Sequence, residues 1–306
     1  MKLAVPDLIS PSYFPAVAAV QLGCFRAEGL DVELEPLFPV DRAYAALRDG
    51  SIDFVGGSAH AALSAFPEWD GVRLLCAQAQ GMYWFLVMHV DFGGVRGDVS
   101  VVKGRSIGAA PWVDMGLRGV LEAEGIDIER DNVTIGPVPR AAGLGANFGV
   151  MAAKALEERR IDGFWANGMG AELAVRRGFG AVVLDVRRGD GPKSAFDFTF
   201  SAIAVTERMI TERPAVAAAG RRAITRAQAA LRERPDRATD IGRVLFAPDE
   251  AALIAELVRR DAPYYDPVIT RATVTGMNTF ARRFGILKCD VPFEKIVYVE
   301  QLSQPT

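Results

Sequence analysis

Cysteine and histidine are scarce in this 306-residue chain, with three of the first and two of the second. Cys24, Cys76 and Cys289 are odd in number and far apart, which excludes a disulfide framework and leaves them as small buried hydrophobes. His60 and His89 occur with no CxxC or HxxxH spacing, so no metal site is expected. Long apolar runs are missing as well. No stretch approaches ~18 uninterrupted apolar residues, so no membrane-embedded segment is expected. Basic charge is not in excess: 35 Lys and Arg against 38 Asp and Glu leave a net charge of −3. No basic cluster is long enough for a nucleic-acid surface. The opening Met-Lys-Leu-Ala-Val-Pro-Asp-Leu-Ile-Ser has one positive charge, a short apolar run and no small-residue cleavage site. It does not read as a secretory leader, so the expectation is a removed leader or a cytosolic protein. The GxSxG, HExxH and GxxxxGK[ST] patterns are absent, and Gly143-Leu144-Gly145 lacks the third glycine of a dinucleotide fingerprint and reads as a flexible loop.

What is present is an alternation of strand-like and helix-like segments, in a chain that is 50% hydrophobic and 24% charged. Residues 3–9 read as a strand, 15–27 as a helix with Gly29 as its cap, 31–37 as a strand, and 41–48 as a helix. Residues 52–56, 73–78 and 83–88 read as further strands. This order implies a mostly parallel sheet covered on both faces. The pattern then echoes itself. Ala-Glu-Gly-Leu-Asp-Val-Glu at 27–33 returns as Ala-Glu-Gly-Ile-Asp-Ile-Glu at 123–129. Leu47 with Ile52-Asp53-Phe54 returns as Leu156 with Ile161-Asp162-Gly163. Two echoes in one order, about a hundred residues apart, argue for two lobes of similar construction. From Glu207 onward the periodicity is helical, over 214–232, 235–246, 248–260 and 271–284, with prolines at three of the four starts. The expected arrangement is an α/β protein of two lobes. Residues 1–86 and 200–306 form the first, which carries the helical C-terminal extension, and 87–199 form the second. Hinges are expected near residues 88–91 and 195–200.

At this point the chain resembles a known family. Ser10-Pro11-Ser12-Tyr13-Phe14-Pro15-Ala16, the segment from Leu22 to Glu33, Ala46 to Phe54, Val102 to Gly108, and Arg160 to Phe164 together resemble type II periplasmic binding proteins. The branch is the one that handles nitrate, sulfonates, taurine and thiamine-pyrimidine precursors. The resemblance implies two α/β lobes joined by two crossing segments. It also implies capture of a small molecule between them by hinge closure, no chemistry on it, and an ABC transporter permease as partner. A periplasmic location follows from the resemblance; the cytoplasm is the alternative that the opening residues leave.

Ligands of open parallel sheets bind beyond the carboxyl ends of the strands. Those ends nominate Ser12, Tyr13 and Phe14; Gly57, Ser58 and His60; Gln80, Tyr83 and Trp84; Pro111 and Trp112; Asn147 and Phe148; and Trp165 and Asn167. Aromatic faces would stack on a flat solute while amides and hydroxyls orient it. An inorganic anion is disfavoured, because Asp114 would cap the helix that follows Trp112 and Arg187, Arg188 and Lys193 are expected at the surface. The solute is therefore expected to be a small aromatic or heterocyclic molecule, or a sulfonate-like one. The rival is an enzyme on the same scaffold, resembling the fungal-type pyrimidine synthase of thiamine biosynthesis. His60 falls where that family has its histidine, but Gly56 stands where its cofactor-bearing lysine should be, and without an amine no Schiff base can form. No cofactor and no catalytic residue are expected. A ligand sensor is the third possibility, without a helix-turn-helix segment to support it.

Overall fold

The structure, a computed structural model, describes residues 1–138 and 147–299. The first 79 residues give β1 (Lys2–Val5), α1 (Phe14–Gln21), α2 (Cys24–Ala27), β2 (Glu33–Pro36), α3 (Val40–Arg48), β3 (Phe54–Ser58) and β4 (Val72–Ala79). The next block gives β5 (Phe85–His89), β6 (Ser106–Ala109), α4 (Asp114–Ala123), β7 (Thr134–Gly136), α5 (Phe148–Glu157), β8 (Gly163–Ala166), α6 (Gly168–Arg176) and β9 (Gly180–Asp185). β10 (Ser201–Thr206) precedes the helices α7 (Glu207–Glu212), α8 (Pro214–Glu233), α9 (Arg237–Leu245), α10 (Pro248–Asp261), α11 (Arg271–Arg283) and α12 (Phe293–Ile296). The expected helix over 15–27 is broken in two at Gly23, which takes a φ of 71°. The Gly143–Gly145 segment lies outside the described residues.

Two five-stranded sheets result, ordered β2-β1-β3-β10-β4 and β7-β6-β8-β5-β9. Each is mixed. β10 runs antiparallel to β3 and β4, and β5 antiparallel to β8 and β9, while the other neighbours pair in parallel. The antiparallel strand of each sheet is the first one after the chain crosses from the other sheet. It enters without the helical crossover that parallel pairing needs. The chain crosses at residues 80–84 and 186–200. Phe85 and Leu86 pair with β8 and β9, inside the second sheet, and Met88 and His89 lie within β5. The first crossing thus lies upstream of the hinge expected at 88–91.

The repeated sequence elements do the same physical work twice. The Oδ2 of Asp53 accepts a hydrogen bond from the N–H of Lys2 at 2.8 Å, and that of Asp162 accepts one from the N–H of Ser106 at 2.8 Å. In both cases the residue before a strand, β3 or β8, secures the start of that strand's parallel neighbour, β1 or β6. Gly29 and Gly125 take φ of 77° and 76°. There the helix ends with backbone bonds from Leu30 to Phe25 and from Ile126 to Leu121, a left-handed cap that suits glycine. α8 lies against α1, α2 and β4 of the first sheet, and α10 packs on α9 and reaches across to α6 of the second. Phe14, Phe25, Phe54 and Phe164 are buried in the core, and each such ring contributes roughly 2–3 kcal/mol relative to exposure. Cys24 and Cys76 are buried as expected of small hydrophobes, but Cys289 is exposed because it sits in the surface turn between α11 and α12.

Candidate functional site

Between the sheets, the carboxyl ends of β1 and β2 face those of β6 and β8. Pro6, Asp7, Ser10, Tyr13, Phe38 and Val40 form one wall, and Ala110, Pro111, Val113, Phe148, Ala166 and Asn167 the other, with Trp84 of the first crossing at the base. The cavity holds ≈ 30 Å³, room for a water molecule or two. A larger solute enters only if the walls part.

The two Asn side chains on the far wall are placed by helix capping and by glycine. Asn147 Oδ1 accepts from the N–H of Val150, and Asn167 Oδ1 from those of Met169 and Gly170. A Cβ on Gly149 would come within 2.4 Å of Asn167 Oδ1, and one on Gly170 within 2.4 Å of the Gly149 carbonyl. Glycine at both sites lets the starts of α5 and α6 meet, which brings both amides to the cleft.

Opposite them stands Asp7. Its Oδ1 accepts from the N–H groups of Ile9 and Ser10 at 3.0 and 2.6 Å, while Oδ2 has the Asn167 amide at 3.5 Å. Among the described residues no Lys or Arg forms an ion pair with it. Burial pushes its carboxyl up to about 6, against the lowering effect of the Ser10 and Ile9 N–H groups and the Asn167 and Asn147 amides. Ser10 Oγ is buried at this cleft without a hydrogen-bond partner, and Asn147 Nδ2, turned towards Asp7, makes no well-formed bond. Phe38 and Phe148, from opposite walls, lie with ring centroids 6.0 Å apart and planes 19° from parallel.

Of the nominated residues, Tyr13, Trp84, Pro111, Phe148 and Asn167 line this cavity, and Asn147 adjoins it. Tyr83 is one layer behind, its hydroxyl 2.6 Å from that of Tyr13. Ser58 lies beneath Tyr13, with its side chain turned to the Tyr13 hydroxyl and its carbonyl accepting from Tyr44. The other nominated residues lie elsewhere. Phe14 packs on Phe246 in the core. Gly57 is hemmed in by Val40 and Tyr44. Gln80 spends its amide N–H groups on the carbonyls of Asp266 and Val268. Trp165 is wholly buried, its N–H on the Val113 carbonyl and its ring against Trp84. Phe14 opens α1, and Gly57, Gln80 and Trp165 lie on a strand or crossing whose end reaches the cleft, but none of the four turns towards it. Asp7, Ser10 and Phe38 went unnamed. The expected strand over 3–9 hides Asp7 and Ile9 within it, although Pro6 signals its end.

His60 joins the lobes rather than facing the cavity. Its Nε2–H donates to the Trp112 carbonyl at 3.0 Å, and its Nδ1 accepts from the Thr199 hydroxyl at 2.9 Å. Trp112 holds a φ of 69°, left-handed and uncommon for a tryptophan. Burial lowers the His60 imidazole to about 4, against the raising effect of the Trp112 carbonyl and Asp114. Asp114 does not cap its helix; it lies 3.0 Å from Arg118.

Arg187 is buried, contrary to the surface position expected of it, whereas Arg188 and Lys193 are exposed. Its guanidinium meets Asp261 at 2.9 Å, Ser12 Oγ at 3.0 Å and the Gln80 carbonyl at 2.8 Å. It lies over the rings of Tyr83 and Tyr264. With the Gly81 carbonyl at 3.4 Å, four acceptors and two aromatic faces replace the water it has lost. The result ties both crossings to α10. A second, more open cavity of ≈ 380 Å³ lies beside Trp112, Asp114, Arg118 and Phe284. Its charges pair with each other, and none of its described lining atoms is a buried polar group without a partner. The narrow cleft is therefore the better-built site. Among the described residues no His, Cys, Asp and Glu cluster could hold a metal.

No family model matches the chain, and no curated protein matches it by sequence. Solved structures do match it in shape. The alkanesulfonate-binding protein SsuA of Xanthomonas axonopodis pv. citri, bound to MOPS, is 14% identical with a TM-score of 0.70, the match covering 97% of this chain and 95% of that one. The periplasmic nitrate-binding protein NrtA of Synechocystis PCC 6803 is 14% identical with a TM-score of 0.68, over 96% of this chain and 83% of that one. The desulfurization enzyme DSZB, as a cysteine-to-serine variant with biphenyl-2-sulfinic acid, is 15% identical with a TM-score of 0.64, over 97% and 96%. The chain's structural neighbours are thus SsuA- and NrtA-type periplasmic solute-binding proteins together with an enzyme, and what it shares with all of them is the two-lobed periplasmic-binding-protein fold.

Proposed function

We propose that this chain is a solute-binding protein, with lobes that meet at the crossings 80–84 and 186–200 and close on a small organic molecule for ABC-type uptake. The observation that carries the reading is the cleft itself. It is walled by strand ends of both sheets, lined with aromatic rings and unpartnered polar atoms, and too narrow when closed to admit more than water. Such a site captures a solute by opening and closing. Capture is favoured over turnover by the state of the reactive groups. Both His60 nitrogens are engaged, and none of the cysteines lines the cleft; burial holds the Cys76 thiol up to about 12. Its partner is a membrane permease and its place of work the periplasm. No described helix is long and apolar enough to cross a membrane.

The test is a solute screen followed by small-angle scattering and tryptophan fluorescence. A bound solute shrinks the radius of gyration, perturbs Trp84 emission and is recovered chemically unchanged by mass spectrometry. An unchanged radius at saturation, or conversion of the solute, overturns the reading.

A further inference from the structure

The capture reading leaves the solute's chemistry open, and the polar end of the cleft narrows it. Three groups are arranged there with unused bonding capacity. Asp7 Oδ2 has a long contact, to the Asn167 amide at 3.5 Å. Ser10, 1% exposed, has an Oγ with no partner. Asn147 Nδ2, turned towards Asp7, is also buried without a well-formed one. The helix starts at α5 and α6 would ordinarily attract an anion. Here their first N–H groups are already taken by the Asn147 and Asn167 side chains, and the carboxylate in front of them belongs to the protein. An anionic solute would have to sit beside that carboxylate, and among the described residues no cation pairs with Asp7 to offset it.

Resting on that reading, we propose that Asp7 receives an N–H-bearing head group, cationic or neutral, of a flat solute whose ring packs against Phe38 and Phe148. A donor edge of the amidine, guanidine or amino-heterocycle kind fits. One N–H reaches Asp7 Oδ2 and a second reaches Ser10 Oγ. A half-buried carboxylate with no cation beside it among the described residues favours a partner that brings donors, as a charge-assisted hydrogen bond is roughly twice as strong as a neutral one. The near-parallel pair of rings from opposite walls accepts a planar body when the walls part. This assignment departs from the anions named with the neighbouring structures, a sulfonate, a nitrate and a sulfinic acid.

The experiment is calorimetric titration of the full chain with benzamidine, benzamide and benzenesulfonate, which share a ring and differ in head group. Benzamidine is expected to bind at least tenfold more tightly than benzenesulfonate. Asp7→Asn is expected to weaken benzamidine at least tenfold and to narrow the gap between the two, and Phe148→Ala to weaken every probe that binds. Thermal melting of both variants establishes that they fold. Benzenesulfonate binding as well as benzamidine, or benzamidine unaffected by Asp7→Asn, overturns the assignment of Asp7. If Phe148→Ala still weakens the probe in that case, capture in the cleft stands and only the solute class falls. If neither substitution matters, or no probe binds at millimolar concentration, both fall.

Discussion

Replacing Asp7 by Asn should make the protein more stable at neutral pH, and the gain should disappear in acid. The carboxyl titrates at about 6 in the folded chain against a reference of 3.8. Above about 6 both states are ionised, and the folded one carries the cost of a carboxylate shielded from water. As the pH falls from 6 towards 3.8, the folded chain takes up its proton before the unfolded chain does, and the cost is relieved. The amide introduced by Asp7→Asn is neutral throughout. A shift of this size corresponds to ~3 kcal/mol at about 1.4 kcal/mol per pH unit, and because Asp7 opens on the cleft, solvent reduces it to roughly 1–2 kcal/mol. The amide can still accept from Ile9 and Ser10 through its oxygen, so the turn after β1 is kept. The groups facing the site are Ser10, Tyr13, Asn147 and Asn167, and none of them is charged in this range. Urea unfolding of the two proteins at pH 8, 6 and 4 measures the difference directly. Equal stabilities at pH 8, or a gain as large at pH 4 as at pH 8, would refute the claim that burial of this carboxylate is what strains the cleft.

His60 works in the opposite direction. Its folded value near 4 lies below the reference of 6.5, so the stability it supports is present above 6.5 and is lost as the pH falls towards 4. In the wild type this loss partly cancels the gain from Asp7, so Asp7→Asn should be more acid-sensitive than wild type, and a flat difference between them from pH 6.5 to 4 would contradict this. His60→Ala should cost about 1–3 kcal/mol in urea unfolding, because the Trp112 carbonyl and Thr199 hydroxyl lose their partner; a cost near zero would mean water replaces the ring freely. Arg187→Met should cost up to about 3–5 kcal/mol by leaving the buried Asp261 with only the Ser12 hydroxyl at 3.2 Å and the more distant Arg260 guanidinium at 3.9 Å, and a loss under about 1 kcal/mol would show that the crossings do not depend on it. Gly125→Ala, at a φ of 76° with no atom within 4 Å of the new Cβ, should cost about 1 kcal/mol by backbone strain alone; an unchanged melting temperature would refute the left-handed cap.

Much of the fold could be read from the residues because its determinants are local. Helical periodicity, with proline starts for α8 and α10, places α8, α10 and α11 within a residue or two. Alternating strands and helices give both lobes. Strand direction was harder, since nothing in the sequences of β5 and β10 says that they enter their sheets antiparallel. The direction follows from where the crossings fall. The site was legible only in part. Strand ends locate a cleft, and Tyr13, Trp84, Pro111, Phe148 and Asn167 do line it. Whether a side chain at such an end turns inward depends on packing that spans the whole chain. Trp165 points into the core because the Val113 carbonyl and the Trp84 ring are there to receive it. Arg187 is buried because Asp261, 74 residues later, is there to pair with it.

The internal echo carries more information than the existence of two lobes. With Lys2 and Ser106 bonded to equivalent aspartates, β1 and β6 align as Leu3 with Ile107 and Val5 with Ala109. One residue past each strand stand Pro6 and Ala110, and after them Asp7 and Pro111. The two lobes agree where the backbone must be locked, at Asp53 and Asp162 and at Gly29 and Gly125. They disagree at the two positions that face each other across the cleft. A fold built twice needs its locks twice, but a cleft that binds an unsymmetrical solute needs two different walls. One wall presents a carboxylate, and the other presents a proline and two amides. Asymmetry at the strand ends of a symmetrical framework is therefore the trace that ligand recognition leaves in a single sequence. In this chain it falls on Asp7.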